Sequence, residues 1–165
     1  MILVTQEERR WFLRNVALGL VEYAGAAEPP VPVEEVLRHP PSTYTEDFGV
    51  VDMYSNLWDA TFARPPSLRG SIFVRIDLPS KERRLALARE ILSALISSRH
   101  GRALGLADLL LEDLRESAAY FARHLLMPET LLRAFRERGG KGDQASEAFD
   151  VPREMATLRW EEIPA

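Results

Sequence analysis

The sequence predicts an α+β fold in which a small sheet is flanked by helices. Two β-like runs, Trp58–Ala63 and Ser71–Asp77, stand either side of a turn-rich connection, Arg64–Gly70. Two long segments with helical periodicity, Lys81–Gly101 and Leu106–Met127, follow directly. Helical patterns also open and close the chain. At 165 residues one domain is the simplest organisation, large enough to bury about two thirds of its unfolded surface.

Composition narrows the function before any motif does. Hydrophobic content of 46% and charged content of 28% are ordinary for a soluble globular chain. A net charge of −4 gives no whole-protein attraction to nucleic acid or an anionic membrane, so neither is expected as a direct partner. With no cysteine, disulfides, thiol chemistry and Cys-ligated zinc are excluded. Charged residues interrupt MILVTQEERRWF where a signal peptide would need its apolar run, and no stretch reaches the roughly 18 apolar residues of a membrane span. A cytoplasmic protein is expected.

The N-terminal part, 1–40, reads as helical. Thr5 with Glu8 three residues on forms a capping box, and Trp11, Phe12, Val16, Leu18, Leu20, Val21 and Tyr23 recur at helical spacing up to Gly25. Three prolines break the chain within Glu28–Pro32. A short helix, Val33–Arg38, then stops at His39-Pro40-Pro41, where His39 reads as a helix-end residue and not a ligand. The region 41–80 holds the sheet. Its rings, Tyr44, Phe48, Tyr54, Trp58 and Phe62, read as core packing for that sheet in preference to a binding surface.

Lys81–Gly101 is the segment around which the rest is organised. At 100° per residue, Leu85, Leu87, Ala88, Ile91, Leu92, Leu95 and Ile96 share one broad arc, the core side. The other arc holds Arg89, Ser93, Ala86, Ser97, Glu90 and Ala94. A solvated face would carry Lys, Glu, Gln and Arg. Small residues here predict that something packs over this face or that it floors a cleft. His100-Gly101 reads as the helix's last turn and its glycine cap. Leu110, Leu114, Ala118, Phe121 and Leu125 form the stripe of the second long helix. A third runs over Glu129–Arg138 with Pro128 in its first turn, and ends at Gly139-Gly140. The tail, 143–165, reads as two short helices around Asp150-Val151-Pro152.

Several of these pieces, in this order, resemble a known family. They are the strand SIFVRID, then Arg84-Leu85-Ala86-Leu87-Ala88-Arg89-Glu90-Ile91-Leu92-Ser93, then Phe121-Ala122-Arg123-His124-Leu125-Leu126-Met127-Pro128, then Phe149-Asp150-Val151-Pro152. Together they resemble the ImmA/IrrE family of zinc metallopeptidases across roughly residues 55–162. The resemblance implies a zincin-like metallopeptidase fold and one ImmA/IrrE-like domain over 1–165, with core helices in 81–138. Members carry H-E-x-x-H on the helix after the strand. Two histidines at i and i+4 bind zinc there, and the glutamate serves as general base to the metal-bound water.

This chain departs from that pattern at the ligands. Arg89 and Ser93 stand at the histidine positions and Glu90 at the glutamate, while the third ligand of the family falls at or beside Ser117, next to Glu116. Arg89 has no acceptor to offer a metal, and Ser93 is a poor zinc ligand. The expected cleft is therefore Arg89, Ser93, Glu116 and Ser117 around Glu90, a vestigial general base, with no metal and no cofactor. Glu90 reads as an inert carboxylate, paired across the cleft with a residue such as Arg115, in preference to a residual acid or base. Arg89 is a candidate to replace the metal cation and keep the charge balance.

The resemblance implies regulation. Family members cleave helix-turn-helix repressors, so a degenerate member is expected to bind such a repressor without cutting it. The alternative is an active peptidase whose zinc has moved to His100, His124 and Glu116 or Glu112. A further alternative is a fold borrowed for assembly with no link to repressors. The basic cluster Arg133, Arg136, Arg138 and Lys141 reads as a solvated helix end in preference to a phosphate site.

Overall fold

In the computed structural model, which describes residues 4–165, Thr5 caps helix α1 (Gln6–Ala24) as expected. Glu8 N–H donates to Thr5 Oγ1 at 3.2 Å, and Thr5 N–H donates to Glu8 Oε2 at 2.7 Å. The first three residues of the N-terminal segment lie outside the described residues. Gly25, in the left-handed region at φ 65°, ends the helix. α2 (Val33–Arg38) follows the prolines and stops at His39, whose carbonyl accepts the Tyr23 hydroxyl at 2.7 Å.

Three strands make one mixed sheet in the order β1-β3-β2: β1 (Val50–Met53), β2 (Ala60–Ala63) and β3 (Ser71–Arg75). β1 runs parallel to β3, pairing Val50 with Ile72, and β2 runs antiparallel, pairing Phe62 with Ile72. The sequence does not single out β1 within the expected sheet region. It is four residues long, contains Asp52 and leaves Val51 exposed, so it shows no clean alternation. The rings of the region divide. Phe48 is fully buried, with Tyr44 stacked on it at 5.0 Å, and Phe62 packs on the core. Tyr54 and Trp58 do not, at 87% and 58% exposed.

The first long helical segment is not continuous. α3 (Ser80–Ser97) ends at Ser98 and the chain turns into α4 (Arg99–Ala103). Ser98 is buried; its hydroxyl donates to Leu95 O at 2.6 Å and accepts Gly101 N–H at 2.8 Å. A side chain that bonds its own backbone in this way competes with the helix, and here it starts a new one. Gly101 is therefore inside α4 and not a cap. An added Cβ would stand 1.9 Å from Leu95 O, so only glycine fits. The second segment is also split: α5 (Leu106–Leu110) passes through a 3₁₀ turn at Leu111–Asp113 into α6 (Leu114–Leu126). Glu112 and Asp113 sit where a helix start favours negative charge.

α3 packs against β2 and β3 on one side and α6 on another, and α6 in turn carries α1. Leu87, Ala88, Ile91, Leu92 and Leu95 supply the α3 side of one continuous buried cluster, as their arc predicts. The chain closes with α7 (Glu129–Glu137), α8 (Ala145–Phe149) and α9 (Arg153–Glu162), the last two joined by Asp150 in the left-handed region. Of the basic cluster, Arg133, Arg138 and Lys141 are exposed, as expected of a solvated helix end, and Arg136 departs from it. Arg136 lies 4.0 Å over the Trp160 ring and donates to the Trp160 and Ile163 carbonyls, clasping the tail. Arg133 pairs with Glu129 at 2.8 Å and Arg138 with Glu28 at 3.2 Å.

Candidate functional site

The small-residue face of α3 is covered. Ala86 and Ala94 are buried, and the strand that packs here is β2. Arg64, just beyond β2, reaches over the end of the face: it donates to Ser97 Oγ at 3.3 Å, pairs with the buried Asp47, and lies 5.5 Å from the Phe62 ring centre. Of the two expectations for this face, a covering element and an open cleft floor, the first accounts for the alanines.

Glu90 is the contact between α3 and the sheet's edge. Arg75 N–H donates to Asp59 O at 2.9 Å, whereas Ile72 N–H donates to Gly49 O on the β1 side. Odd residues of β3 thus bond β2, and the antiparallel register makes 61/73 and 63/71 the hydrogen-bonded pairs. Phe62 is at a non-bonded pair, so its N–H points outward from the edge strand. Glu90 Oε2 accepts it at 2.8 Å. An outward N–H on an edge strand otherwise invites another strand, and here it is capped from the helix. Burial raises the Glu90 carboxyl above its ordinary range, opposed in part by the bonds from Phe62 N–H and Ser93.

Of the remaining expected site residues, Ser93 lies beside Glu90, whereas Arg89, Glu116 and Ser117 do not gather round it. Ser93 is half-buried beside it. Arg89 is exposed and makes no hydrogen bond or ion pair among the described residues, so it does not take the place of a metal cation against Glu90. Arg115 is exposed, and the partner of Glu90 is a backbone N–H instead. Ser117 is buried and Glu116 exposed, and both belong to the α1 side of α6. Glu116 Oε1 accepts Arg10 at 3.3 Å and Gln6 at 3.5 Å, and Ser117 shares a groove with Leu13 and Arg10. The periodicity that places Ser117 on α6 does not say which neighbour that face meets.

The displaced metal set is scattered as well. His100 is exposed and its Nδ1 lies 2.8 Å from the Tyr44 hydroxyl. His124 stacks on Tyr120 at 4.3 Å, and Glu112 is exposed. Among the described residues no group of three or more His, Cys, Asp or Glu side chains is placed to hold a metal ion. The donor set at the family's zinc position does not fit the metal either. It consists of one carboxylate already accepting a backbone N–H, flanked by a guanidinium and a hydroxyl.

The profile of the peptidase family described as IrrE N-terminal-like domain matches residues 42–161, well over half of the chain. The chain belongs to that family. This IrrE-like chain also superposes on a Mycobacterium tuberculosis transcriptional regulator with a TM-score of 0.58 and 19% identity, over 93% of this chain and 50% of that one. It thus spans half the length of the regulator, and at that identity the likeness concerns the fold. No curated protein matches the IrrE-like chain in sequence.

Two features of the site escape sequence reasoning. The Phe62 N–H has no side-chain signature, since any residue at a non-bonded edge position presents one. A group of arginines, Arg10, Arg14, Arg123 and Arg159, converges from three helices far apart in the sequence. No spacing rule links them.

Proposed function

We propose that this IrrE-like domain regulates by binding a protein, a helix-turn-helix repressor, without hydrolysing it. The engagement of Glu90 carries the reading. A general base for peptide hydrolysis needs a carboxylate free to take a proton from a metal-bound water. The carboxylate at that position accepts Phe62 N–H, and neither Arg89 nor Ser93 beside it supplies a metal ligand.

The family supports the regulatory half of the proposal, as does the likeness in fold to a transcriptional regulator. We take the partner's surface to lie beside the closed face. Tyr54, Leu57, Trp58 and Leu68 stand exposed on the connections either side of β2, between 58% and 87% accessible. Several large apolar side chains held in water suit a surface that another protein covers.

The test mixes the purified full chain with the helix-turn-helix repressor encoded nearest to it, with and without added zinc, and reads co-elution and repressor mass. The expected result is a complex that forms equally with a chelator present, contains intact repressor, and is lost in a Tyr54→Ser, Trp58→Ser variant. Zinc-dependent cleavage of the repressor would overturn the proposal.

A further inference from the structure

A second cluster lies away from the α3–β2 contact. α1, α6 and α9 meet around an open cavity of about 300 Å³, lined by Arg10, Arg14, Arg123 and Arg159 with Tyr120 and His124. Glu129 and Glu162 also line it, so four guanidiniums face two carboxylates, a surplus of two positive charges. Glu129 is already shared with Arg133 outside the cavity. Arg10 has Glu116 at 3.3 Å, a pair half open to water and correspondingly weak.

The guanidiniums are held in place but not satisfied. Arg159 is 2% exposed; its Nε donates to Met127 O at 2.9 Å and one terminal nitrogen to Glu162 at 3.0 Å. Its other terminal nitrogen is buried without a partner among the described residues. Arg123 Nε lies 2.9 Å from Glu162 Oε1, at an angle that makes no hydrogen bond, and is likewise buried and unbonded. Arg14 donates to the Tyr120 hydroxyl at 3.1 Å and forms no ion pair among the described residues. The Tyr120 ring is flanked by Arg10 at 5.3 Å and Arg123 at 5.4 Å, which fixes both side chains before any ligand arrives. A buried charged donor left unbonded is costly, and an anion in the cavity these side chains line would offset that cost through its charge.

We propose that this cavity binds a phosphate group of a small molecule, held by Arg14, Arg123 and Arg159. Planar guanidiniums match the paired oxygens of phosphate, and a dianion offsets the two surplus charges. The volume is at the small end of ligand pockets, enough for free phosphate or the phosphate end of a mononucleotide.

His124 reports on the site. Burial, and then the charges of Arg159, Arg123, Arg14 and Arg10, lower its pKa to about 3, so the imidazole is neutral at physiological pH. The facing groups are Arg10 and Arg14 from α1, Tyr120 and Arg123 from α6, Glu129 from α7, and Arg159 with Glu162 from α9. A bound phosphate, a monoanion at the pH where His124 titrates, opposes the arginine field and raises the midpoint.

The test is calorimetric titration of the full chain with inorganic phosphate and with AMP at constant ionic strength, alongside NMR titration of His124. The expected result is saturable one-to-one binding, a raised His124 midpoint in the bound form, and at least about tenfold weaker binding in Arg14→Gln and in Arg123→Gln. Arg14 is exposed at the rim, so its variant keeps the test valid should Arg123→Gln loosen the fold. Tighter binding of AMP assigns a nucleotide as the source, and equal binding assigns free phosphate. Absence of saturable binding by both ligands, or unchanged binding in both variants, would overturn the proposal.

Discussion

Replacing Glu90 separates a packing carboxylate from a catalytic one. In Glu90→Ala the outward N–H of Phe62 loses its acceptor in a part-buried position. A buried donor left unsatisfied costs about 1–3 kcal/mol, and release of the poorly solvated carboxylate offsets part of this, leaving about 1–2 kcal/mol. For a chain of this size each kcal/mol is worth about 2–4 °C, so melting falls by about 2–8 °C. Glu90→Gln keeps an acceptor oxygen and removes the charge. The folded carboxyl binds its proton more tightly than the unfolded one, because burial raises its pKa from 4.5. Between those two values the folded state holds more protons, so wild-type stability drops as pH rises through the window. Glu90→Gln is therefore expected to match wild type near pH 4 and to melt at the same temperature or higher at pH 7. Circular-dichroism melts of the three proteins from pH 4 to 8 make the comparison. Equal melting of the Ala and Gln variants at every pH, or wild type gaining on Gln as pH rises, would refute the reasoning.

Three further outcomes follow from the same geometry. Ser98→Ala removes the acceptor for Gly101 N–H at a buried helix junction and is expected to cost about 1–2 kcal/mol, read as a lower urea midpoint with an unchanged slope. Arg136→Met keeps an unbranched stem but frees the Trp160 and Ile163 carbonyls; losing about 1.4 kcal/mol or more speeds amide exchange in α9 at least about tenfold, measured by hydrogen exchange. His124 is held neutral in the fold, so the unfolded chain takes its proton first as pH falls below 6.5. Stability is therefore lost between about 6.5 and 3, and His124→Gln flattens that part of the melting profile.

Much of the fold was legible because local rules sufficed for it. The Thr5–Glu8 capping box, the stop at His39, the core arc of α3 and the turn at Asp150 each depend on a few neighbouring residues. Hydrophobic periodicity predicts two unbroken long helices because it persists across a break. Ser98 interrupts α3 without disturbing the stripe, since its effect comes from a hydroxyl turned back on Leu95. At the candidate site, the mismatch between the family's ligands and Arg89 and Ser93 was visible in the residues. The partner of Glu90 was not, because a carboxylate at a given helical angle can meet an arginine, a metal or a backbone N–H. Only the register of β2 on β3 decides among them.

α6 connects the two sites. Ser117, Tyr120 and His124, at i, i+3 and i+7, lie along the face that meets α1. Phe121, Ala122 and Leu125 go into the core that α3 shares. A hydrolytic centre between α3 and α6 would need charged and metal-binding groups on the α3 side. That side holds alanines, leucines and one carboxylate bonded to the sheet edge. The unsatisfied donors are on the other side, where Arg123 and Arg159 keep buried N–H groups without acceptors. Both arginines share Glu162 alone, so their second positive charge and these donors are left for an anion, whereas the packed α3–β2 contact is complete as it stands. The arginine cavity is thus the place for ligand chemistry under the proposal above, and α3 packs as part of the scaffold.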